Sequence, residues 1–179
     1  MCNMEGEEMP HPTLQPVDVP VVLQLAFVPS ATYDAIGTAI GVDGATAFRS
    51  VRRLEHARLL LPGERQVVRK AVLEFVLHAV RYVFYPVIGA DGFGVPTAYS
   101  APPLSAEFTA DDALVWASME GSIRGQTLQP LYDGAPTLPR RNPRLYQALA
   151  LVDAVRAGRA RERSRATEFL VALLGAAEG

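Results

Sequence analysis

The chain has little cysteine, little histidine and no long apolar run, and each shortage excludes a class of protein. One cysteine, Cys2, excludes a disulfide within the chain. The histidines, His11, His56 and His78, lack the spacing of zinc ligands and leave few candidates for a catalytic base. No apolar run reaches the roughly 20 residues that a membrane-spanning helix needs. We therefore expect no metal site, no catalytic residues and no membrane partner.

Signals for export and for nucleotide binding are also missing. The first eleven residues are acidic and lack the basic and then apolar order of a secretory signal. With a single cysteine, this start predicts a cytoplasmic protein. The glycine-rich segment 89–97 lacks the Gly-Lys-Ser/Thr ending of a phosphate-binding loop, and no clear helix follows it. We therefore expect no cofactor.

Basic residues are unevenly distributed along the chain. The formal net charge of −2 taken alone argues against nucleic-acid binding. However, residues 1–48 hold six acidic and no basic side chains, whereas residues 49–70 hold seven basic and two acidic ones. Residues 71–139 are acidic again, and residues 140–179 are basic. The net charge thus hides a local basic segment, which is the electrostatic signature of a nucleic-acid-binding surface.

Apolar residues in the first half of the chain recur at helical spacing, and capping residues, glycine or proline separate the helical segments. We expect three short helices, a short strand and a long helix. These are a helix that Asp18 caps and Pro29 ends, helices 33–40 and 44–57, a strand 59–61 and a helix 68–84. The last helix is apolar on nearly every face, which is typical of burial on several sides, either in a core or in a subunit interface.

Local signals define the second and third of these helices. Thr32 and Asp43 stand where an N-cap oxygen accepts a hydrogen bond from a first-turn amide. Gly41 stands where a residue in the left-handed conformation ends a helix. On the third helix, the residues at the spacing of an inward stripe are Ala47, Val51 and Leu54.

The segment 41–60, GVDGATAFRSVRRLEHARLL, resembles the turn and recognition helix of winged-helix bacterial regulators of the MarR-like group. The shared pattern is a glycine, an apolar residue, a helix cap, Thr, Arg, and then Arg-Leu-Glu before a leucine-rich strand. The resemblance is close over residues 30–60 and loose back to Asp18. It implies a helix-turn-helix that places its third helix in the major groove of DNA, in a homodimeric transcriptional regulator.

The resemblance also implies which residues contact DNA. Thr46 and Arg49 would contact base edges, and Arg52 and Arg53 would contact phosphates. An alternative is that Arg52 and Arg53 form a solvated face that pairs with Glu55. The full set expected at the DNA is Thr32, Asp43, Gly44, Ala45, Thr46, Arg49, Arg52 and Arg53.

Two departures from the pattern favour a second hypothesis. Only residues 62–66 separate the short strand from the long helix, so a full two-stranded wing is not expected. Phe48 stands where a small polar residue is usual, which indicates that part of the third helix packs on protein. The alternative function is a winged-helix adaptor that binds another protein, such as an antitoxin-like partner of a neighbouring gene product.

The rest of the chain predicts a looser organisation. Residues 1–16 are an expected mobile arm, 17–85 the winged helix-turn-helix domain with its long helix, and 86–179 a loop-rich region. Within the last region we expect an irregular loop over 86–105, a β-hairpin of 114–118 with 122–128, and helices 143–157 and 160–174. The arginines between 156 and 165 form either a solvated helix surface or a second patch for phosphate or an acidic partner. The fold class is therefore mainly α with a small β component.

Overall fold

Three short helices at the start of the chain pack together. In the computed structural model, which describes residues 12–108 and 112–175, helix α1 spans Asp18–Phe27, α2 spans Tyr33–Ile40 and α3 spans Gly44–His56. Both expected caps are confirmed, because Thr32 accepts a hydrogen bond from the amide of Ala35 at 3.2 Å and Asp43 accepts one from the amide of Thr46 at 2.6 Å. Gly41 ends α2 with a left-handed φ of 81°, also as expected. The predicted arm, residues 1–16, lies mostly outside the described residues.

Asp18 does not cap α1, and this expectation is wrong. Val17 occupies the N-cap position, and Asp18 lies in the first turn with only 2% of its surface exposed. Its carboxylate accepts hydrogen bonds from the Ser50 hydroxyl at 2.5 Å and from the Arg53 guanidinium at 2.7 Å and 2.9 Å. Bonds from a guanidinium are stronger than a neutral capping bond, so the side chain turns towards α3 rather than along its own helix.

The segment after α3 forms a short hairpin that is held by a single β-bridge rather than by two paired strands. Leu60 and Val67 make an isolated antiparallel bridge in place of the expected strand 59–61. The turn between them uses left-handed conformations at Gly63, with φ 77°, and at Arg65, with φ 52°. The few residues available explain why this hairpin does not extend into a two-stranded wing, as the sequence predicted.

The long apolar helix is buried on one face within the chain. It consists of α4, Arg69–Glu74, a π-helical turn, Phe75–Ala79, and α5, Val80–Val83. Val72, Val76 and Val80 are fully buried, whereas Tyr82 is 73% exposed. Leu73, Phe75 and Leu77, beside that buried row, are partly buried against the same core, so the chain covers part of the helix, and a subunit interface on the exposed part stays a prediction.

A long strand occupies the first half of the segment 86–105, where we expected an irregular loop, and short 3-10 turns, Ala98–Ser100 and Leu104–Ala106, lie in its second half. Strand β1 spans Ile88–Pro96 and pairs antiparallel with both β2, Leu114–Ala117, and β3, Ile123–Leu128. A Cβ atom at Gly94 would lie 2.1 Å from the carbonyl oxygen of Trp116, so the close approach of β2 requires glycine. The glycines that permit this pairing also lower β propensity, which is why the sequence pattern suggested a loop.

The two strands after β1 are confirmed in position but not in pairing. β2 and β3 do not form the expected antiparallel hairpin. They pair in parallel, with Leu114 opposite Gln126 and Val115 opposite Thr127, and β1 joins them to close a small three-stranded barrel in the described part of the chain. β1 pairs with one neighbour along each of its two edges, and its register with β3 shifts between Ile88 and Asp91.

The C-terminal helices are confirmed; α7 lies in the core, and α8 packs on it through one buried row, Ala166, Leu170 and Leu174. A short helix α6, Leu138–Arg141, precedes α7, Pro143–Ala157, and α8, Ala160–Gly175. On α7, the buried carboxylate of Asp153 accepts hydrogen bonds from Thr97, Trp116 and Arg156, which join the helix to the sheet. Of the C-terminal arginines, Arg156 is thus buried, and Arg165 pairs with Glu107 and Glu168.

The fold class is mainly α with a small sheet, as expected, and 56% of the chain is helical. One hydrophobic core includes residues from both sides of the expected boundary at residue 85, such as Leu23 and Val76 before it and Trp116 and Leu149 after it. Within the described ranges, 12–108 and 112–175, no helix combines the length and hydropathy needed to cross a membrane.

Candidate nucleic-acid interface

Helix α3 has one buried and one exposed face. The expected inward residues, Ala47, Val51 and Leu54, are fully or almost fully buried. Ala45, Arg49, Arg52 and His56 are exposed and follow one another at spacings of four, three and four residues. This spacing places them on a single side of the helix, turned away from the core. The exposed face therefore presents cationic side chains to solvent along the length of α3.

The first turns of α3 hold Arg49 in a defined position. The Thr46 hydroxyl donates to Asp43 at 3.1 Å and accepts a hydrogen bond from the Arg49 guanidinium at 3.0 Å. The hydrogen bond from the Thr46 amide is the main cause that lowers the pKa of Asp43, and the charge of Arg49 contributes. Since a guanidinium has five N–H donors, Arg49 keeps donors free for a ligand while its side chain is oriented by the helix.

Arg52 pairs with Glu55, as the alternative interpretation expected. Its guanidinium lies 2.8 Å from the carboxylate, and its side chain remains 55% exposed. The second carboxylate oxygen of Glu55 accepts a hydrogen bond from the amide of Gly63 at 2.9 Å. Glu55 thereby ties the hairpin to α3, and Arg52 lies beside that connection with a partly compensated charge.

Arg53 has a different partner from the one that the sequence suggested. It binds Asp18 on α1 through two of its nitrogens, and its side chain is only 20% exposed. The pairing with Glu55 is therefore wrong for this residue. The guanidinium lies between α1 and α3, where it fixes how the two helices pack.

Of the other three expected site residues, Gly44 and Ala45 lie at the turn between α2 and α3, and Thr32 does not. Thr32 caps α2, at the far end of that helix from the turn. Gly44 opens α3 so close to α2 that a Cβ atom there would lie 2.3 Å from a carboxylate oxygen of Asp34. Ala45 is exposed at the start of α3. The glycine and the alanine leave the first turn of α3 free of large side chains.

Phe48 packs on the protein, but only in part. Its ring meets Tyr33 of α2 edge-on, with the ring centres 5.3 Å apart, and 46% of its surface remains exposed. The guanidinium of Arg65, from the hairpin turn, lies 5.1 Å from the centre of the Tyr33 ring on which it stacks. These contacts bring the hairpin cation Arg65 next to α2 and α3.

The segment 131–141 also contacts α2, and the sequence did not predict this contact. The Tyr132 hydroxyl donates to the carbonyl of Ile40 at 2.9 Å, and burial raises the pKa of this tyrosine. The Arg141 guanidinium donates to the carbonyl of Thr38 at 3.0 Å. The contacts join residues 92 and 103 positions apart, so no local pattern could have indicated them.

A cleft of about 750 Å³ lies between β1 and α6. The Tyr146 hydroxyl donates to the carbonyl of Pro96 at 2.7 Å across it, and burial raises the pKa of Tyr146 to about 12. Arg140 and Glu120 form an exposed ion pair at its edge, 2.8 Å apart. Among the residues that the structure describes, no cluster of three or more His, Cys, Asp or Glu side chains is placed to hold a metal ion.

Comparison of the chain with known protein families, with curated proteins and with solved structures found no match. The functional argument therefore depends on the geometry and charge of the chain itself.

Proposed function

We propose that the protein is a cytoplasmic, homodimeric transcriptional regulator that binds specific sequences of double-stranded DNA through α3. The observation that carries this proposal is the exposed face of α3, on which Asp43 and Thr46 orient Arg49 at the N-terminal end of the helix. In helix-turn-helix proteins, the same end of the second helix contacts base edges in the major groove. An oriented guanidinium there suits the paired acceptors of guanine.

The surroundings of each residue suggest its role in the complex. Arg49, together with Thr46, contacts base edges. Arg52 contacts phosphates, because its charge is exposed although Glu55 compensates part of it. Arg58, which is exposed just after α3, and Arg65, in the hairpin turn, add phosphate contacts. Among the remaining expected residues, Thr32 and Asp43 shape the helices, Gly44 and Ala45 keep the first turn narrow, and Arg53 packs against Asp18.

Selection of DNA fragments from the source genome by the purified protein tests this function. A dimer that uses two α3 helices enriches fragments with a shared sequence in two inverted half-sites, with centres about 34 Å apart. A protein in which Arg49 is replaced by alanine is the matched control, and it enriches no such sequence. Recovery of random fragments by the wild-type protein would contradict sequence-specific binding.

A second candidate function is that of an adaptor for another protein. The specific observation in its favour is that about half of the Phe48 side chain is exposed on α3. The proposed DNA-binding function would place this aromatic ring in a polar groove of DNA. Salt separates the candidates, since binding through several phosphates weakens by orders of magnitude between about 50 and 200 mM salt. Salt-insensitive capture of a protein partner that Phe48→Ala abolishes, with no duplex bound, would favour the adaptor.

A further inference from the structure

The α2–α3 turn is covered on one side by a segment from the second half of the chain. Tyr132 and Arg141 each donate a hydrogen bond to a carbonyl near the C-terminal end of α2. Gly134 fits tightly there, because a Cβ atom at this position would lie 2.9 Å from the carbonyl oxygen of Ile40. The contacts hold the segment 131–141 against the end of α2, beside the start of α3.

Arg141 forms no ion pair with an acidic side chain in the described ranges, 12–108 and 112–175. Its guanidinium donates to a neutral carbonyl and lies against Gly41, with the side chain exposed. Arg141 and Thr46 line one cleft of about 700 Å³. Because Thr46 also binds the guanidinium of Arg49, the exposed cations Arg49 and Arg141 both lie near the N-terminal end of α3.

An α-helix in the major groove has a phosphate backbone on each side of it. Each strand carries one negative charge per about 3.4 Å of helix axis, so a cation beside the first turn of such a helix lies close to several phosphates. Asp133 lines the same cleft as Arg141 and is also exposed. A carboxylate in this position repels the phosphates that the guanidinium attracts.

We propose that two side chains of this segment, Arg141 and Asp133, form part of the DNA interface, in which Arg141 binds a backbone phosphate beside α3 and Asp133 opposes that contact. This inference rests on the proposed DNA-binding function and extends the interface beyond the helix-turn-helix. The two side chains act on the backbone, so they set affinity and salt dependence for every sequence alike. Arg49, by contrast, sets the preference among sequences.

The test measures binding of a selected duplex and a scrambled duplex over about 50 to 200 mM salt. Arg141→Ala removes one phosphate contact and reduces the slope of log affinity against log salt by about 0.9, which is roughly 3.5-fold less loss of affinity over this range. It weakens binding of both duplexes by the same factor. Asp133→Asn strengthens binding of both, and Arg141→Lys keeps the wild-type slope because the charge remains.

Arg140→Ala is the matched control, because this neighbouring arginine pairs with Glu120 at the other cleft, and its slope stays that of the wild type. Thermal unfolding of each variant separates lost folding from lost contact, and Asp133→Asn gives an independent result if Arg141→Ala unfolds. Unchanged slope and affinity in Arg141→Ala and Asp133→Asn, with Arg49→Ala still losing sequence preference, would overturn this inference alone. Absence of salt-sensitive binding by the wild type would overturn the proposed function with it.

Discussion

Arg49 and Arg53 lie four residues apart on α3 and carry the same charge, but their surroundings give them different roles. Arg49 is exposed and oriented by the Thr46 hydroxyl. Arg53 is mostly buried and binds the carboxylate of Asp18 on α1. A contact to DNA needs an accessible guanidinium, whereas a guanidinium held between two helices stabilises their packing. Under the proposed function, the same residue type thus serves recognition at one position and folding at the other.

Replacement of Arg49 by alanine tests the recognition role. We expect the affinity for the selected duplex to fall by about 1–3 kcal/mol and the preference over a scrambled duplex to decrease, because a base contact is lost. The unfolding free energy should stay near that of the wild type, since the side chain is exposed. Titration of labelled duplexes measures the effect, and wild-type affinity and preference in R49A would show that α3 has been assigned the wrong role.

Replacement of Arg53 by alanine tests the folding role. The change leaves the buried carboxylate of Asp18 without its charged partner, and only the Ser50 hydroxyl and the backbone N–H of Gln15 remain as donors. We expect the unfolding free energy to fall by about 3 kcal/mol, as measured by denaturant titration. The double variant Asp18→Asn with Arg53→Ala should recover part of that loss. A single variant as stable as the wild type would contradict this role.

At the scale of the secondary-structure elements, α2 and α3 are defined by short-range signals. The caps, the left-handed glycine and the inward stripe of α3 all depend on residues within four positions of each other. These features could therefore be predicted from the sequence. What the two helices pack against could not, because Asp18 and Arg53 of α3 are 35 residues apart and the contact of Arg141 with Thr38 of α2 spans 103.

Strand β1 was mistaken for a loop for a related reason. Its glycines lower β propensity. Glycine is nevertheless needed at Gly94, because Trp116, more than twenty positions along the chain, approaches the backbone closely there. The parallel pairing of β2 with β3 was missed because two strands joined by a short connection usually form an antiparallel hairpin. Long-range geometry decides both features, so local pattern and spacing favoured the wrong structure.

The N-cap of α3 makes a pH-dependent contribution to stability. The hydrogen bonds from Thr46 lower the pKa of Asp43 below its ordinary value of 3.8. Because the pKa is lower in the folded protein, the ionised cap stabilises the fold at pH values above the ordinary pKa. This stabilisation is lost as the pH falls through the lowered pKa. We expect Asp43→Ala to lower the melting temperature at neutral pH, with a difference from the wild type that shrinks in acid.

Thermal unfolding of the wild type and Asp43→Ala from neutral pH down to about pH 2 measures this difference, across the titration range of a carboxyl group. Asp43→Asn is the control, because an amide oxygen still accepts the capping bond without an ionisable charge. The difference in melting temperature between Asp43→Asn and Asp43→Ala should not change through titration of residue 43, because neither side chain ionises. A wild-type advantage that persists unchanged at the lowest pH would contradict a charged cap.

At the scale of the whole molecule, exposed apolar side chains support a dimer. They are concentrated from the end of α5 to the start of β1, where Tyr82, Tyr85 and Ile88 are 73%, 68% and 45% exposed. A large exposed apolar patch usually marks an interface. We expect a two-fold dimer that buries at least about 1,000 Å² through this surface.

Light scattering at micromolar concentration checks the expectation. The wild type should have the mass of two chains, and Tyr82→Glu with Tyr85→Glu should have the mass of one and bind the selected duplex more weakly. Met119→Glu is the control, because this residue is fully exposed outside the patch. A wild type that remains monomeric would remove the dimer from the account and give weight to the adaptor.

The central claim is that α3 recognises a DNA sequence, and one measurement tests it most directly. The wild-type protein is titrated with a duplex selected from the genome and with a scrambled duplex of equal composition, at about 50 and 200 mM salt. The account predicts tighter binding of the selected duplex at both salt concentrations, with affinities that fall by orders of magnitude as salt rises. Equal affinity for the two duplexes, or binding of neither, would contradict it.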